Sequence, residues 1–422
     1  MMREHLSQSH PGVTVVGPGT RFLSGVTCYT FTLCNALAET CDVSAILMRQ
    51  LLPTRLNPGR TRVGAALTDL SLAPTVRGYD GVDWFWGVTL LRAFLFLARR
   101  RPHVLLLQWW TGTVLHTYLV LAVVARLLGC HVVVEFHEAL DPAEDHLPLV
   151  RRYVGVVAPW LFRLAAGYIV HSEHDRRLVA RRYGDRGVPV EVIPFATWDH
   201  YRRDARLRVA PEDCCNLLFF GLIRPYKGLD VLIEAFNSIP PEEIDRYWLT
   251  IVGETWEGWT EPLDLVARSP YRDRISMVNR YVSDTEVGGY VGGADAVVLP
   301  YRRSCGSGAL HVALHHGLPV VVTPVGALVE AVSGYEGAVI ADALTPAALL
   351  IALRRVAALR GQRFADPRPW SDVPPRYHAF FARLDDAHTG RAARKPAAAL
   401  LLTHGTSHPS YDTPLDAQRV RP

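Results

Sequence analysis

The sequence predicts an α/β protein built from two doubly wound, parallel-sheet units. Three observations predict it. Short apolar, β-branched runs alternate with longer stretches of helical period from residue 13 to residue 194. The alternation stops at a polar, arginine-rich stretch, Thr197–Asp213, and then restarts. The 422 residues, 49% hydrophobic and 20% charged, suffice for two domains with sizeable cores.

The elements follow in order. Val13–Val16 is a β-branched run that ends in Gly-Pro-Gly and precedes a helical stretch, Thr27–Ala38. Val43–Met48 and His103–Gln108 read as strands, and Val114–Leu128 as a buried or interfacial helix. His131–Phe136 is nearly all valine, the pattern of a strand covered on both faces. Helix Leu147–Ala166, strand Gly167–His171, helix Glu173–Tyr183 and strand Val190–Pro194 complete the first unit. Strands at Asn216–Phe220, Trp248–Gly253, Ile275–Val278, Ala296–Pro300, Pro319–Thr323 and Gly337–Ile340 build the second. Its helices are Gly228–Ser238, Leu263–Arg268, Ser283–Gly292, Gly308–His315, a turn or more from Ala327 to Val332, and Pro346–Leu359. Boundaries are set at 1–200 and 201–367, with a last helix within 368–387 and a disordered tail from 388 to 422.

Composition excludes several functions. A formal net charge of +4 is mild for this length and argues against a nucleic-acid binder. The seven cysteines are scattered, with no Cys-x-x-Cys unit, so neither a disulfide framework nor a zinc site is expected. The N-terminus lacks the apolar run of a secretory signal, and Val114–Leu128 falls short of a bilayer span. A cytoplasmic protein is expected. Leu147–Arg163 mixes apolar residues with Arg151, Arg152 and Arg163. It reads as a core-facing helix with a solvated basic face, or as a helix resting on an anionic membrane at its inner face.

The second unit carries the clearest chemistry. Gly221 follows a strand directly, Arg224 and Lys227 lie in the next loop, and Gly228 opens a helix. Two cations beside a helix N-terminus suit a diphosphate, since both the charges and the amides attract it. As plain solvated residues they would oppose the helix dipole.

FFGLIRPYKGLDVLIEAF, 219–236, resembles the donor-binding segment of glycosyltransferase family 4, the retaining enzymes of the GT-B fold. HSEHDRRLVARRYG (171–184), VIPFATWDHY (192–201) and the segment 294–332, from ADAVVLPYRRS to GALVEAV, resemble further family segments in the family's order. The resemblance covers about residues 13–360. It implies two Rossmann-like domains facing a cleft, retention of anomeric configuration, no metal, and a UDP-sugar or GDP-sugar donor with no separate cofactor. Arg224 and Lys227 would hold the diphosphate, with Gly221 admitting it to the backbone and Ser307 and Gly308 supplying helix-start amides. Glu330 stands where the family has a carboxylate near the ribose; it reads equally as a first-turn helix acid. Glu254 lines the base pocket or is a surface acid.

One departure is plain. The family's usual glutamate pair, eight residues apart, falls here on Ser304 and Val312. The Ser307-Gly308 pair resembles a branch that also lacks those carboxylates.

In the first unit, GPGTRFLSGVTCYTFTL (17–33) lacks a dinucleotide-binding glycine pattern, because Phe22 stands at the third glycine position. The resemblance places Ser24 and Gly25 near the donor phosphate and the acceptor; an ordinary strand–helix turn is the other reading. His137 ends the strand His131–Phe136, so it meets the crevice where a parallel sheet binds ligands. The family has a histidine there, which would orient the acceptor hydroxyl or the sugar. His171 is a second candidate of the same kind. Asp199 and His200 contact the donor or cap the linker. Trp109 and Trp110 read as packing residues, or as a platform for a sugar or lipid acceptor.

The expectation is a retaining transferase that meets a nucleotide sugar and an unidentified acceptor, without nucleic acid. A sugar-nucleotide epimerase and a catalytically silent homologue binding a nucleotide sugar or a partner subunit are the rivals.

Overall fold

The computed structural model describes residues 10–21, 25–50, 68, 70–83, 87–138, 148–184, 186–198, 200–201, 206–255, 258–304 and 306–393. Seven parallel strands form the first sheet: β1 (His10–Pro18), β2 (Cys41–Gln50), β3 (Arg77–Asp83), β4 (Val104–Trp109), β5 (His131–Phe136), β6 (Ala165–Val170) and β7 (Val190–Val192). Their order is β3-β2-β1-β4-β5-β6-β7. Between them run α1 (Gly25–Leu37), α2 (Gly87–Arg100), α3 (Leu115–Leu127), α4 (Pro148–Leu164) and α5 (Glu173–Tyr183).

The second sheet repeats the plan with six parallel strands: β8 (Cys215–Phe220), β9 (Tyr247–Val252), β10 (Ile275–Val278), β11 (Ala296–Leu299), β12 (Val320–Val322) and β13 (Ala338–Ile340). The order is β10-β9-β8-β11-β12-β13. Its helices are α6 (Leu229–Asn237), α7 (Glu261–Ala267), α8 (Asp284–Gly292), α9 (Gly308–His315), α10 (Leu328–Ala331) and α11 (Pro346–Ala357). In each sheet the chain reverses direction of growth beside its first strand, between β1 and β4 and between β8 and β11. Ligands of open parallel sheets settle outside the strand C-termini at such points.

The strands at the centre are those with the purest apolar runs. Every residue of β4, β5 and β8 is buried, as continuous hydrophobic strands covered by helices on both faces must be. One layer, α2, α3 and α4, seals one face of the first sheet through Leu90, Leu97, Tyr118, Leu121, Val154 and Leu161. The other face carries α1 and the last helix, α12 (Val373–Ala393), whose Tyr377, Phe380, Phe381 and Leu384 enter the core with Val13, Val15 and Val133. Gly167 on β6 lets that helix close in: a Cβ there would stand 2.8 Å from Phe380 Cζ. The helix runs past residue 387, to Ala393, and the remainder of the expected tail lies outside the described residues.

Two elements were not expected, β3 and α2. β3, Arg-Gly-Tyr-Asp-Gly-Val-Asp, is an edge strand with poor strand formers and buries only its last three residues. Trp109 and Trp110 pack as core residues of the first half, the former against Phe136 and Phe162. The six described cysteines are free thiols, five of them buried; Cys305 lies outside the described residues. α4 has the expected core face and exposed arginines, and in addition exposes Leu149, Val156 and Trp160. Among the described residues no helix is long and apolar enough to cross a membrane.

Candidate active site at the strand ends

The loop after β8 is shaped by two glycines. Gly221, at φ 110°, turns the chain off the strand, and its amide donates to the Val252 carbonyl (2.9 Å). Gly228, at φ 65°, stands before α6 with its Cα against Pro300; a Cβ would lie 2.0 Å from that carbonyl oxygen. Only glycine takes both the left-handed backbone and the close approach. Between them Arg224 begins a short 3-10 turn, Pro225–Lys227. The Lys227 Nζ folds back over Gly221, 3.0 Å from where a Cβ would be, and 5.4 Å from the centre of the Tyr301 ring. Burial lowers the Lys227 pKa, and the charge of Arg224 lowers it further while Tyr226 opposes. A desolvated ammonium next to a guanidinium is a place where an anion is stabilised. Glu254 belongs to the same loop cluster through its backbone, whose carbonyl accepts from the Ile223 amide (2.9 Å).

Tyr301, at the end of β11, joins this cluster to α9. Ser307 Oγ donates to Tyr301 Oη (3.2 Å) and accepts from the Leu310 amide (3.2 Å), the N-cap bond that starts α9. Gly308 has a neighbour the sequence did not announce. A Cβ at Gly308 would lie 2.4 Å from the Trp198 indole, and one at Gly25, the first residue of α1, 2.9 Å from the same ring carbon. The indole thus fills the space between the starts of α1 and α9. Trp198 is buried, and its Nε1 has no hydrogen-bond partner among the described residues. Ser24 and Asp199 lie outside the described residues.

Glu330 is committed to another helix. Its carboxylate accepts from the Glu173 amide (2.7 Å) and the His174 amide (2.9 Å), so it caps the N-terminus of α5 from the second half of the chain. A ribose contact would have to replace those bonds. The two positions without glutamate are also defined. Ser304 Oγ donates to the Gly306 carbonyl (2.9 Å), and Val312 is a core residue of the second half, 1% exposed.

His137 lies at the end of β5, buried, with its ring against Tyr29, His171 and Phe195. The hydrogen bonds around it have a fixed sense. Gln108 Nε2 donates to Glu135 Oε2 (2.5 Å), so Gln108 Oε1 is the atom that faces His137 Nε2. A carbonyl oxygen only accepts, so His137 Nε2 carries the proton. Burial drives the His137 pKa well below its usual value, with the nearby His171 adding, and leaves the ring neutral with Nδ1 as its lone pair. Glu135 also accepts from Tyr377, which in turn bonds Tyr29 (2.8 Å). His171 gives its Nδ1 proton to the Ile193 carbonyl (2.8 Å) and turns Nε2 to Glu135 at 3.4 Å. That contact is not an ion pair: burial pushes His171 down to about 3 and Glu135 up to about 7. Ligand atoms of Glu135, His137 and His171 lie within 4.8 Å of one another, spacing a metal could use. The bonds to Tyr377 and Gln108 engage the carboxylate and His137 Nε2, while His171 Nε2 makes no hydrogen bond among the described residues. His200, half-buried in the linker, is pushed down to about 4 by desolvation and by His315.

Residues 24–196 match the glycosyl transferase 4-like domain, and residues 214–358 match the glycosyl transferases group 1 family. The chain is a glycosyltransferase family 4-like protein of the GT-B fold. This family 4-like protein is 34% identical over 188 residues to the D-inositol 3-phosphate glycosyltransferase 2 of Catenulispora acidiphila, covering 41% of this chain and 44% of that one. It is 36% identical over 107 residues to the GDP-mannose:glycolipid 4-beta-D-mannosyltransferase of Xanthomonas campestris pv. campestris, 25% of this chain and 29% of that one. The matched span is therefore less than half of either curated relative. In fold the family 4-like chain is similar to the sucrose-phosphate synthase of Thermosynechococcus elongatus, with 16% identity, a TM-score of 0.58, and 91% and 99% of the two chains covered. It is likewise similar to the Anabaena HepE protein in complex with UDP, with 12% identity, a TM-score of 0.57, and 90% and 99% covered.

The motif segments thus meet in space: Gly221, Lys227, Tyr301 and Ser307 form one cluster beside the β8–β11 reversal. Six participants were missed from sequence: Tyr29, Gln108, Glu135, Trp198, Tyr301 and Tyr377. Gln108 and Glu135 carried a usable signal, each a polar residue near the end of an otherwise apolar buried strand.

Proposed function

We propose that the protein is a retaining glycosyltransferase that moves a sugar from a UDP-sugar or GDP-sugar to an acceptor held by the first half. The observation that carries this is the Arg224–Lys227 pair beside Gly221 and the start of α6. As the bond from the anomeric carbon to the diphosphate breaks, its electron pair stays on the phosphate, and the two cations offset that charge. The relatives support the donor class: one is named for GDP-mannose, and HepE is in complex with UDP. Retention rests on the family resemblance. His137, neutral, with its Nε2 proton bound by Gln108, orients the sugar or the acceptor hydroxyl. Glu254 lies beside the nucleotide end of this reading. Peripheral membrane contact belongs to it as well, since a lipid-borne acceptor would be met from the bilayer surface.

Calorimetry with UDP and GDP tests the diphosphate placement. Arg224→Ala and Lys227→Ala should each weaken nucleotide binding at least about tenfold, the loss of one charge-assisted contact. Unchanged affinity in both variants would overturn it. A transfer assay with a panel of donors then tests the reaction. Ser304 and Val312 favour one second reading, a silent homologue that binds a nucleotide sugar or a partner subunit without turning it over. Tight nucleotide binding with no transfer from any donor would select it.

A further inference from the structure

Of the fourteen large hydrophobic side chains that stand exposed among the described residues, eight lie on α2, α3 and α4. These helices form a single layer. α3 packs against both of its neighbours, and the buried sides of all three enter one core against the first sheet. Their outer sides face away from that core. On α2 the exposed residues are Val88, Leu91 and Leu95, one stripe at helical spacing. On α4 they are Leu149, Val156 and Trp160, again one stripe. Val123 and Leu127 on α3 lie between, and Leu127 and Leu149 are each 83% exposed. A soluble surface seldom gathers so many apolar side chains in one place without an occupant.

The charge on the same layer has one sign. The three helices contain no Asp or Glu. Arg92, Arg99, Arg126, Arg151, Arg152 and Arg163 are exposed on them. The Arg163 guanidinium lies over the Trp160 ring at 4.7 Å, so an aromatic body and a cation share one spot. Apolar stripes rimmed by arginines, with an indole among them, match the depth profile of a lipid interface: hydrocarbon beneath, anionic headgroups at the level of the guanidiniums. A protein partner would need a surface both apolar and strongly acidic over three helices.

We infer that the outer face of α2, α3 and α4 seats the protein on an anionic lipid bilayer. The docking rests on exposed side chains and is independent of the Arg224–Lys227 site. It deepens the transferase reading by placing the acceptor-side half against the membrane, the position in which a lipid-borne hydroxyl is within reach.

Vesicle co-sedimentation of the full chain tests this. Vesicles of phosphatidylcholine with about one-third phosphatidylglycerol should carry the protein down, and vesicles of phosphatidylcholine alone should carry at least about tenfold less. Salt near 1 M should release most of it, because it shrinks the screening length to about 3 Å. Two double variants follow, Leu127→Ser with Trp160→Ser, and Arg151→Glu with Arg152→Glu. All four side chains are exposed, so nucleotide affinity should be retained while vesicle binding drops at least about tenfold. Equal sedimentation with both vesicle types, or wild-type binding by both double variants, would overturn the proposal. So would a dimer that the serine variant dissolves, without vesicle binding by the wild type, which would give the face to a second copy. Arg224→Ala should keep full vesicle binding, so a failed diphosphate site and a failed membrane face remain distinguishable.

Discussion

Gln108 sits at the point where two buried strands exchange polar contacts, and its amide can serve Glu135 and His137 only in one orientation. Gln108→Leu removes a bond from each side and leaves a buried N–H and a carboxyl short of a partner. We expect a stability loss of about 1–3 kcal/mol in urea titration. Turnover should fall at least about tenfold with UDP or GDP affinity unchanged. His137→Ala should likewise lose turnover and keep nucleotide affinity; full turnover in that variant removes His137 from the reaction. Gly308 makes a steric prediction of the same size. Alanine there would push into the Trp198 indole, whose nearest carbon is 2.4 Å away, so Gly308→Ala should cost about 1–3 kcal/mol. A wild-type urea midpoint would show that the indole moves aside freely.

At the scale of elements, local rules carry far. His131–Phe136, Glu173–Tyr183, Ile275–Val278 and Gly308–His315 occupy the residues that the apolar pattern and the caps assign to them. α8 shows why: Ser283 and Glu286 form a reciprocal capping box, readable as Ser-x-x-Glu. Ser283→Ala should therefore cost about 1 kcal/mol. β3 was unreadable because its place depends on pairing with β2, while its own Arg, Gly and Asp speak against a strand. The site divides in the same way. Arg224, Lys227 and the two glycines are neighbours in sequence, and their loop could be read there. The contact of Trp198 with both Gly25 and Gly308 joins segments more than 100 residues apart, and nothing local encodes it. Tyr377 reaches Glu135 across 242 positions, beyond any motif.

For the whole molecule the desolvated histidines set a pH dependence. His137, His171, His200 and His311 are all held below the ordinary histidine value, first of all by burial. The unfolded chain takes up their protons below about pH 6.5 and the folded chain does not, so stability falls as pH drops through that value. Glu135 acts in the opposite direction: raised to about 7, it keeps a proton in the folded state between about pH 4.5 and 7. Four groups outweigh one, and thermal midpoints should decline steadily from pH 6.5 to 4.5. A flat profile would show that these rings are hydrated. Glu330 bears on the molecule in another way. A carboxylate of the second half holds the amides that begin α5 in the first. If the same carboxylate is drawn to a ribose, the two claims on it compete, and linkage makes the competition reciprocal. Nucleotide then loosens the clasp between the halves by the same factor by which the clasp weakens nucleotide. Glu330→Gln, which keeps the shape and surrenders the charge, would report on both sides of that balance at once.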